Sequence, residues 1–191
     1  MADVKAVLVE VPAALVEERR RTGADRWDEL WEGELHMVPP PSGLHQRLGM
    51  KLAMVLNPLA EARGLVGAYE AGLYRPGTDL DYRVADHVYA RPELLTERGV
   101  DGPADVVVEL ASPGDETYDK LAFYADLGVG EVIVVHPAGR TVELFVLRGG
   151  RHVLVQADTE GRVRSDALGA TFATVAGPRL TIGWEGGSAE I

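Results

Sequence analysis

The chain has 191 residues, 19 Lys+Arg against 30 Asp+Glu for a net charge of −11, 46% hydrophobic residues and no cysteine. That length sustains one hydrophobic core without a staple, and the missing cysteines exclude disulfide frameworks, thiolate zinc sites, iron–sulfur clusters and cysteine nucleophiles. The acidic field opposes charge-driven coating of nucleic acid, and no run of about 18 apolar residues exists to span a bilayer.

Lys5, Glu10 and Glu17 break the apolar opening and no signal cleavage site follows, so a cytoplasmic location is expected. Residues 12 to 32 read as short helices, with Pro12 in a first turn and Asp25 capping a second piece through Trp31. Gly33 allows a turn, and Glu34–Met37 alternates like a short strand. The PPPSG run at 39–43 excludes regular structure. It introduces a long helix with the apolar stripe Leu44, Leu48, Leu52, Val55 and Leu59, kinked or ended by Pro58. Strands are predicted at 65–70, 82–90 and 104–110, then a helix over 115–127, then strands at 131–136, 141–148 and 151–157. Gly139 and Gly149-Gly150 punctuate the last three strands as an antiparallel meander. The unit spanning 104–136 has the form of a parallel crossover. The tail GGSAEI is expected to fray. Nothing resembles a linker, so residues 1–191 read as one domain, with 1–24 as an N-terminal extension and 184–191 as a tail.

Several chemistries are absent. There is no GxxxxGK[ST], no GxGxxG after a strand and no GxSxG. The histidines (His36, His45, His87, His136, His152) lack metal-ligand spacing. Carboxylates remain. In the strand 82–90, alternation puts Asp86 on one face with Tyr82, Val84, Val88 and Ala90. A carboxylate there needs a cation, a donor or a raised pKa, and a structural aspartate bonded to Arg or backbone is the competing reading. The strand 104–110 is a buried-type run ending in Glu109; a Glu at a strand end is by itself more often solvated, but this is also the strand edge where α/β sheets place ligands. On the helix that follows, Asp115, Asp119 and Asp126 form a solvent stripe, while Lys120 borders the buried side. Only Lys5, Lys51 and Lys120 are lysines, so a compact ammonium at 120 is a notable choice. The plain alternative is a helical pair with Glu116, worth about 0.3–0.5 kcal/mol. Two carboxylates on adjacent strands suit a hard cation such as Mg²⁺. Such an ion acidifies a bound water, and a nearby lysine stabilises charge on a phosphoryl oxygen.

The segment ADVVVELASPGDETYDKLAFYADLGVGEVIVVHPAGRTVELFVL (104–147), with YRVADHVYA and WEGELHMVPPPSGLHQRL before it, resembles the Uma-two-type restriction endonuclease family, formerly a domain of unknown function. That family lies within the PD-(D/E)XK nuclease superfamily. The match covers about residues 25–183. It implies an α/β, restriction-endonuclease-like core: a central mixed sheet flanked by helices, with a C-terminal antiparallel meander. Carried over by position, it implies Asp86 and Glu109 as metal ligands, the Leu110 carbonyl completing the shell, and Lys120 as the catalytic lysine. The more usual lysine position is Ala111 here. Glu34 is implied as an additional catalytic acid, and His45 as a group facing phosphate; a solvated strand end and a helix-surface histidine are the plain alternatives. The pattern departs at Ala85, where proline is usual, and at His87, where an apolar residue is common. The resemblance further implies Mg²⁺ or Mn²⁺ as cofactor and DNA as substrate, and no membrane partner is expected. Cutting both strands of a duplex suggests a two-fold homodimer, with Trp27 and Trp31 as candidate interface residues and burial in the protomer core as the equal alternative. The alternative is a catalytically weak or inactive binding or regulatory module on the same fold, which the −11 charge favours.

Overall fold

The structure, a computed structural model, describes residues 6–112, 114 and 116–191. Pro113 of the strand exit and Asp115 of the expected helix start lie outside the described residues, as does Lys5. The chain begins with β1 (Ala6–Leu8) and α1 (Ala13–Thr22). Helix α1 buries no side chain; Arg19, Arg20 and Arg21 occupy its last turn, where the dipole favours cations, and Gly23 ends it with φ 69°.

The second helical piece expected from Asp25 through Trp31 is instead a turn and a strand. Glu32 and Gly33 have φ of 51° and 95°, the left-handed pair that a two-residue hairpin turn requires. They join β2 (Glu29–Trp31) to β3 (Glu34–Met37). Alternation on both sides of this turn outweighs the capping signal of Asp25.

Helix α2 (Gly43–Glu61) is capped by the Ser42 hydroxyl, which accepts from His45 N at 3.2 Å. Its buried leucines are Leu48, Leu52, Leu56 and Leu59. Leu44, expected in the stripe, is 79% exposed. Pro58 neither ends nor breaks the helix; it lies on the exposed side one turn before the C-terminus.

Strands β4 (Val66–Tyr74) and β5 (Tyr82–Ala90) pair antiparallel, and the short β6 (Leu95–Thr96) and β7 (Gly99–Asp101) pad the edge of β4. Next come β8 (Val106–Leu110), α3 (Lys120–Leu127), β9 (Glu131–His136), β10 (Thr141–Arg148) and β11 (Arg151–Leu154). The large mixed sheet runs β1-β3-β2-β5-β8-β9-β10-β11, with β4 and its padding attached to β5. As the spacing predicts, β8 and β9 are parallel across α3, and β9, β10 and β11 form an antiparallel meander. Helix α3 is shorter than the predicted 115–127.

Past the meander, β12 (Arg162–Ser165), β13 (Ala170–Val175), β14 (Arg179–Trp184) and β15 (Gly187–Glu190) build a separate four-stranded antiparallel sheet. The tail expected to fray is its last strand, and Ile191 exchanges backbone bonds of 3.0 and 2.9 Å with Leu180. Buried Glu131 ties this sheet to the large one. It accepts from Ser165 Oγ at 2.5 Å and from the amides of Asp166 and Ala167 at 3.0 and 3.1 Å. One apolar core lies among α2, the large sheet and the C-terminal sheet, including Leu52, Val108, Phe172 and Ile182. A second lies beneath α3, including Val107, Phe123, Tyr124 and Val132. Among the described residues, no helix is long and apolar enough to cross a membrane.

Candidate active site

Strand β5 organises the site through what its edges lack. Its ladder to β8 pairs His87 with Val108, Val88 with Val107 and Tyr89 with Val106; one further step places Asp86 opposite Glu109. On its other edge, β4 pairs Tyr69 with His87 and Ala71 with Ala85. The same register sets Glu70 opposite Asp86, but no pairing forms there, and Glu70 is held at φ 48°. Asp86 therefore stands where the β8 ladder ends and the β4 ladder skips one residue. Its Oδ2 accepts from the Leu110 amide at 2.7 Å, and its Oδ1 lies 2.7 Å from His45 Nε2.

Glu109 points toward α3, where the Tyr124 hydroxyl donates to its Oε1 at 2.5 Å. Burial pushes its carboxyl up to about 7; the Lys120 ammonium pulls the other way, and the negative charge of Asp86 adds to the rise. Lys120 Nζ sits 2.7 Å from Glu29 Oε1 and 3.5 Å from Glu109 Oε1, and donates to the Val84 carbonyl at 2.9 Å. Burial works against its charge, yet the carboxylates of Glu109 and Glu29 outweigh it, so Lys120 is held firmly protonated. The helical pair with Glu116 does not form: Glu116 Oε2 lies 3.0 Å from His36 Nδ1 instead.

These groups line a cleft of about 440 Å³. Trp27, Val38 and Pro39–Pro41 form its apolar wall, and Ser112, Glu116 and Thr117 contribute on the side of α3. Glu70, also in the lining, is tied to Arg26 Nη2 at 3.0 Å and to the Gln46 amide. Among the described lining residues, Glu29, Glu70, Asp86, Glu109 and Glu116 face a single lysine.

Of the residues singled out by sequence, Asp86, Glu109, Leu110, Lys120 and His45 all line this cleft. Glu34 does not. It sits beside the β2–β3 turn opposite Trp31, and the acid this hairpin sends into the cleft is Glu29. Sequence reasoning missed Glu29 because it assigned the segment to a helix; the alternation Glu29-Leu30-Trp31 ahead of Glu32-Gly33 was the available signal. His45 is not a surface histidine. Burial disfavours its imidazolium, but the hydrogen bond and charge of Asp86 more than offset this, and its pKa rises. His87 faces away from the cleft beside Tyr69, with ring centroids 5.0 Å apart, and burial pushes it down to about 4, so it fills its apolar-type position as a neutral ring. Trp31 stacks on His36, and the Arg83 guanidinium lies between the Trp31 and Phe123 rings. Trp31 thus packs within the chain, and Trp27 lines the cleft.

A divalent cation fits this chemistry in part. Asp86 and Glu109 are hard oxygen donors set opposite each other, and the upward push on Glu109 marks a buried charge that a cation would relieve. Among the described residues no three His, Asp or Glu side chains converge on one point. A cation held here would therefore take two carboxylates as its side-chain donors, with backbone oxygen and water supplying the remainder.

The family profile Uma2, described as "Putative restriction endonuclease", matches residues 18–176. Among solved structures, the chain is similar to "a putative nuclease belonging to DUF820 from Anabaena variabilis". The TM-score is 0.59 at 16% identity, over 74% of this chain and 82% of that one, a likeness of fold. No match was found among curated proteins.

Proposed function

The chain belongs to the Uma2 family, and on that premise we propose that it is a divalent-metal-dependent endonuclease hydrolysing DNA phosphodiester bonds. The observation that carries this reading is the convergence of Asp86, Glu109 and Lys120 at the end of the β5–β8 ladder. Asp86 and Glu109 would hold Mg²⁺ or Mn²⁺, with the Leu110 carbonyl as a further ligand. When bound, such an ion supplies an acidified water and positive charge against the phosphoryl oxygens. Lys120, clamped between Glu29 and Val84, sets a second positive charge beside Glu109, where charge develops as the bond breaks. His45 steadies the Asp86 carboxylate through Oδ1. A two-fold dimer, one site for each strand of a duplex, belongs to this reading.

A second reading has its own observation. Five carboxylates against one lysine in the described lining are unfavourable to a phosphate backbone unless a cation intervenes, and favour a binding module without turnover. Plasmid incubated with wild type and Lys120→Ala, each in Mg²⁺ and in Mn²⁺, separates the two. Nicking by wild type that slows by about 100-fold or more in Lys120→Ala supports the nuclease. No nicking by wild type in either metal supports the module.

A further inference from the structure

Lys120 projects from the first turn of α3, and its neighbours belong to β2, β5 and β8. A lysine is a point charge on a flexible four-carbon stem with three rotatable donors, so its usefulness in a site depends on what fixes it. Here the fixing group is itself fixed. Glu29 is 1% exposed. Its Oε1 accepts from the Val84 amide at 3.0 Å and meets Lys120 Nζ at 2.7 Å, while its Oε2 accepts from Trp31 Nε1 at 2.7 Å. Lys120 in turn donates to the Val84 carbonyl. A closed ring results: Val84 amide to Glu29, Glu29 to Lys120, Lys120 to Val84 carbonyl. Both backbone groups of Val84 are thereby taken by side chains.

We infer that Glu29 is the positioning residue of this site, its buried carboxylate aiming the Lys120 ammonium at Glu109. The inference rests on the nuclease reading for the use made of Lys120, but not for the clamp itself. Glu29 touches no reacting atom; it acts through Lys120. Trp31 locks Oε2, so the carboxylate cannot rotate to follow a wandering ammonium. With two donors of Lys120 engaged by Glu29 and Val84, the third is left for the side of Glu109, 3.5 Å away.

Two readouts test this in the full chain. The first is the NMR signal of the lysine ammonium protons, which persists only where hydrogen bonding slows exchange with water. The chain has only three lysines, and Lys120→Arg assigns the signal. Wild type should show the Lys120 signal; Glu29→Gln should lose it while the backbone spectrum stays folded. The second is the kinetic split on a DNA substrate: Glu29→Gln should lower kcat by about 10- to 100-fold, the scale of a misplaced group, with KM within about twofold. Should Glu29→Gln not fold, Trp31→Phe decides. It keeps an aromatic ring and the Glu29 charge but removes the indole donor, and should broaden the signal and lower kcat by a smaller factor. An ammonium signal unchanged in the folded variant overturns the inference, as does an unchanged kcat in an active enzyme. Loss of the signal in Glu29→Gln from a wild type that cleaves no DNA leaves the clamp standing and removes the nuclease reading instead.

Discussion

Replacing Glu109 by Gln should stabilise the metal-free protein at alkaline pH while abolishing metal-dependent cleavage. Its carboxyl, ordinarily near 4.5, is pushed up to about 7 by burial, against the pull of Lys120. The folded state therefore holds a proton that the unfolded chain has released, and stability falls as pH rises from 4.5 through 7. At about 1.4 kcal/mol for each tenfold difference in proton affinity, the penalty is small at pH 5 and grows to the order of a few kcal/mol at pH 8. Gln carries no proton to lose and keeps an acceptor for the Tyr124 hydroxyl. For a chain of this size, a penalty of that order corresponds to a Tm rise on the order of several degrees. Thermal melts in EDTA should show Glu109→Gln well above wild type at pH 8 and close to it at pH 5. Mg²⁺ should then raise the wild-type Tm at pH 8 and leave Glu109→Gln unmoved. A variant less stable than wild type at pH 8, or an equal difference at both pH values, would refute the argument.

His45, whose raised pKa reflects Asp86 prevailing over burial, stabilises the fold fully below its ordinary value of 6.5, and that contribution is lost as pH climbs through the raised value. Urea titrations of His45→Gln should accordingly show a larger loss at pH 5.5 than at pH 9; equal losses would contradict this. Gly99 has φ 144°, and a Cβ there would lie 2.3 Å from the Gly72 carbonyl oxygen. Gly99→Ala should cost about 2 kcal/mol or more, read from the denaturation midpoint. Glu131→Ala strands the amides of Asp166 and Ala167 and the Ser165 hydroxyl; hydrogen exchange should accelerate across residues 162–191 well before it does in β8 and β9.

Glu109 was legible because Val106-Val107-Val108 is a buried run that ends on a carboxylate, a conflict that sequence alone exposes. Asp86 was legible by alternation. Lys120 stood out by the rarity of lysine in an arginine-rich chain. The clamp was hidden: Glu29 acquires its role from partners on β5 and α3, and nothing local to it distinguishes a clamp from a solvated acid. The C-terminal sheet was hidden for a related reason. RVRS and GSAE carry little apolar alternation, and their strands are specified by pairing with β13 and β14 and by Glu131, contacts that local propensity does not encode. Leu44 shows the converse error: helical spacing puts it in the apolar stripe, yet it is 79% exposed.

The missing pairings around Asp86 give that residue the character of a wedge. Its Oδ2 occupies the Leu110 amide, and the register of β5 and β8 is already aligned for one more rung if that amide is released. Asp86→Ala would then do more than delete a charge: the two strands could zip shut by one residue and narrow the cleft floor. An inactive alanine variant would report a changed backbone as much as a lost ligand, whereas Asp86→Asn, which retains an acceptor for Leu110, isolates the charge. The carboxylate proposed to hold the cation would thus also keep the cleft open.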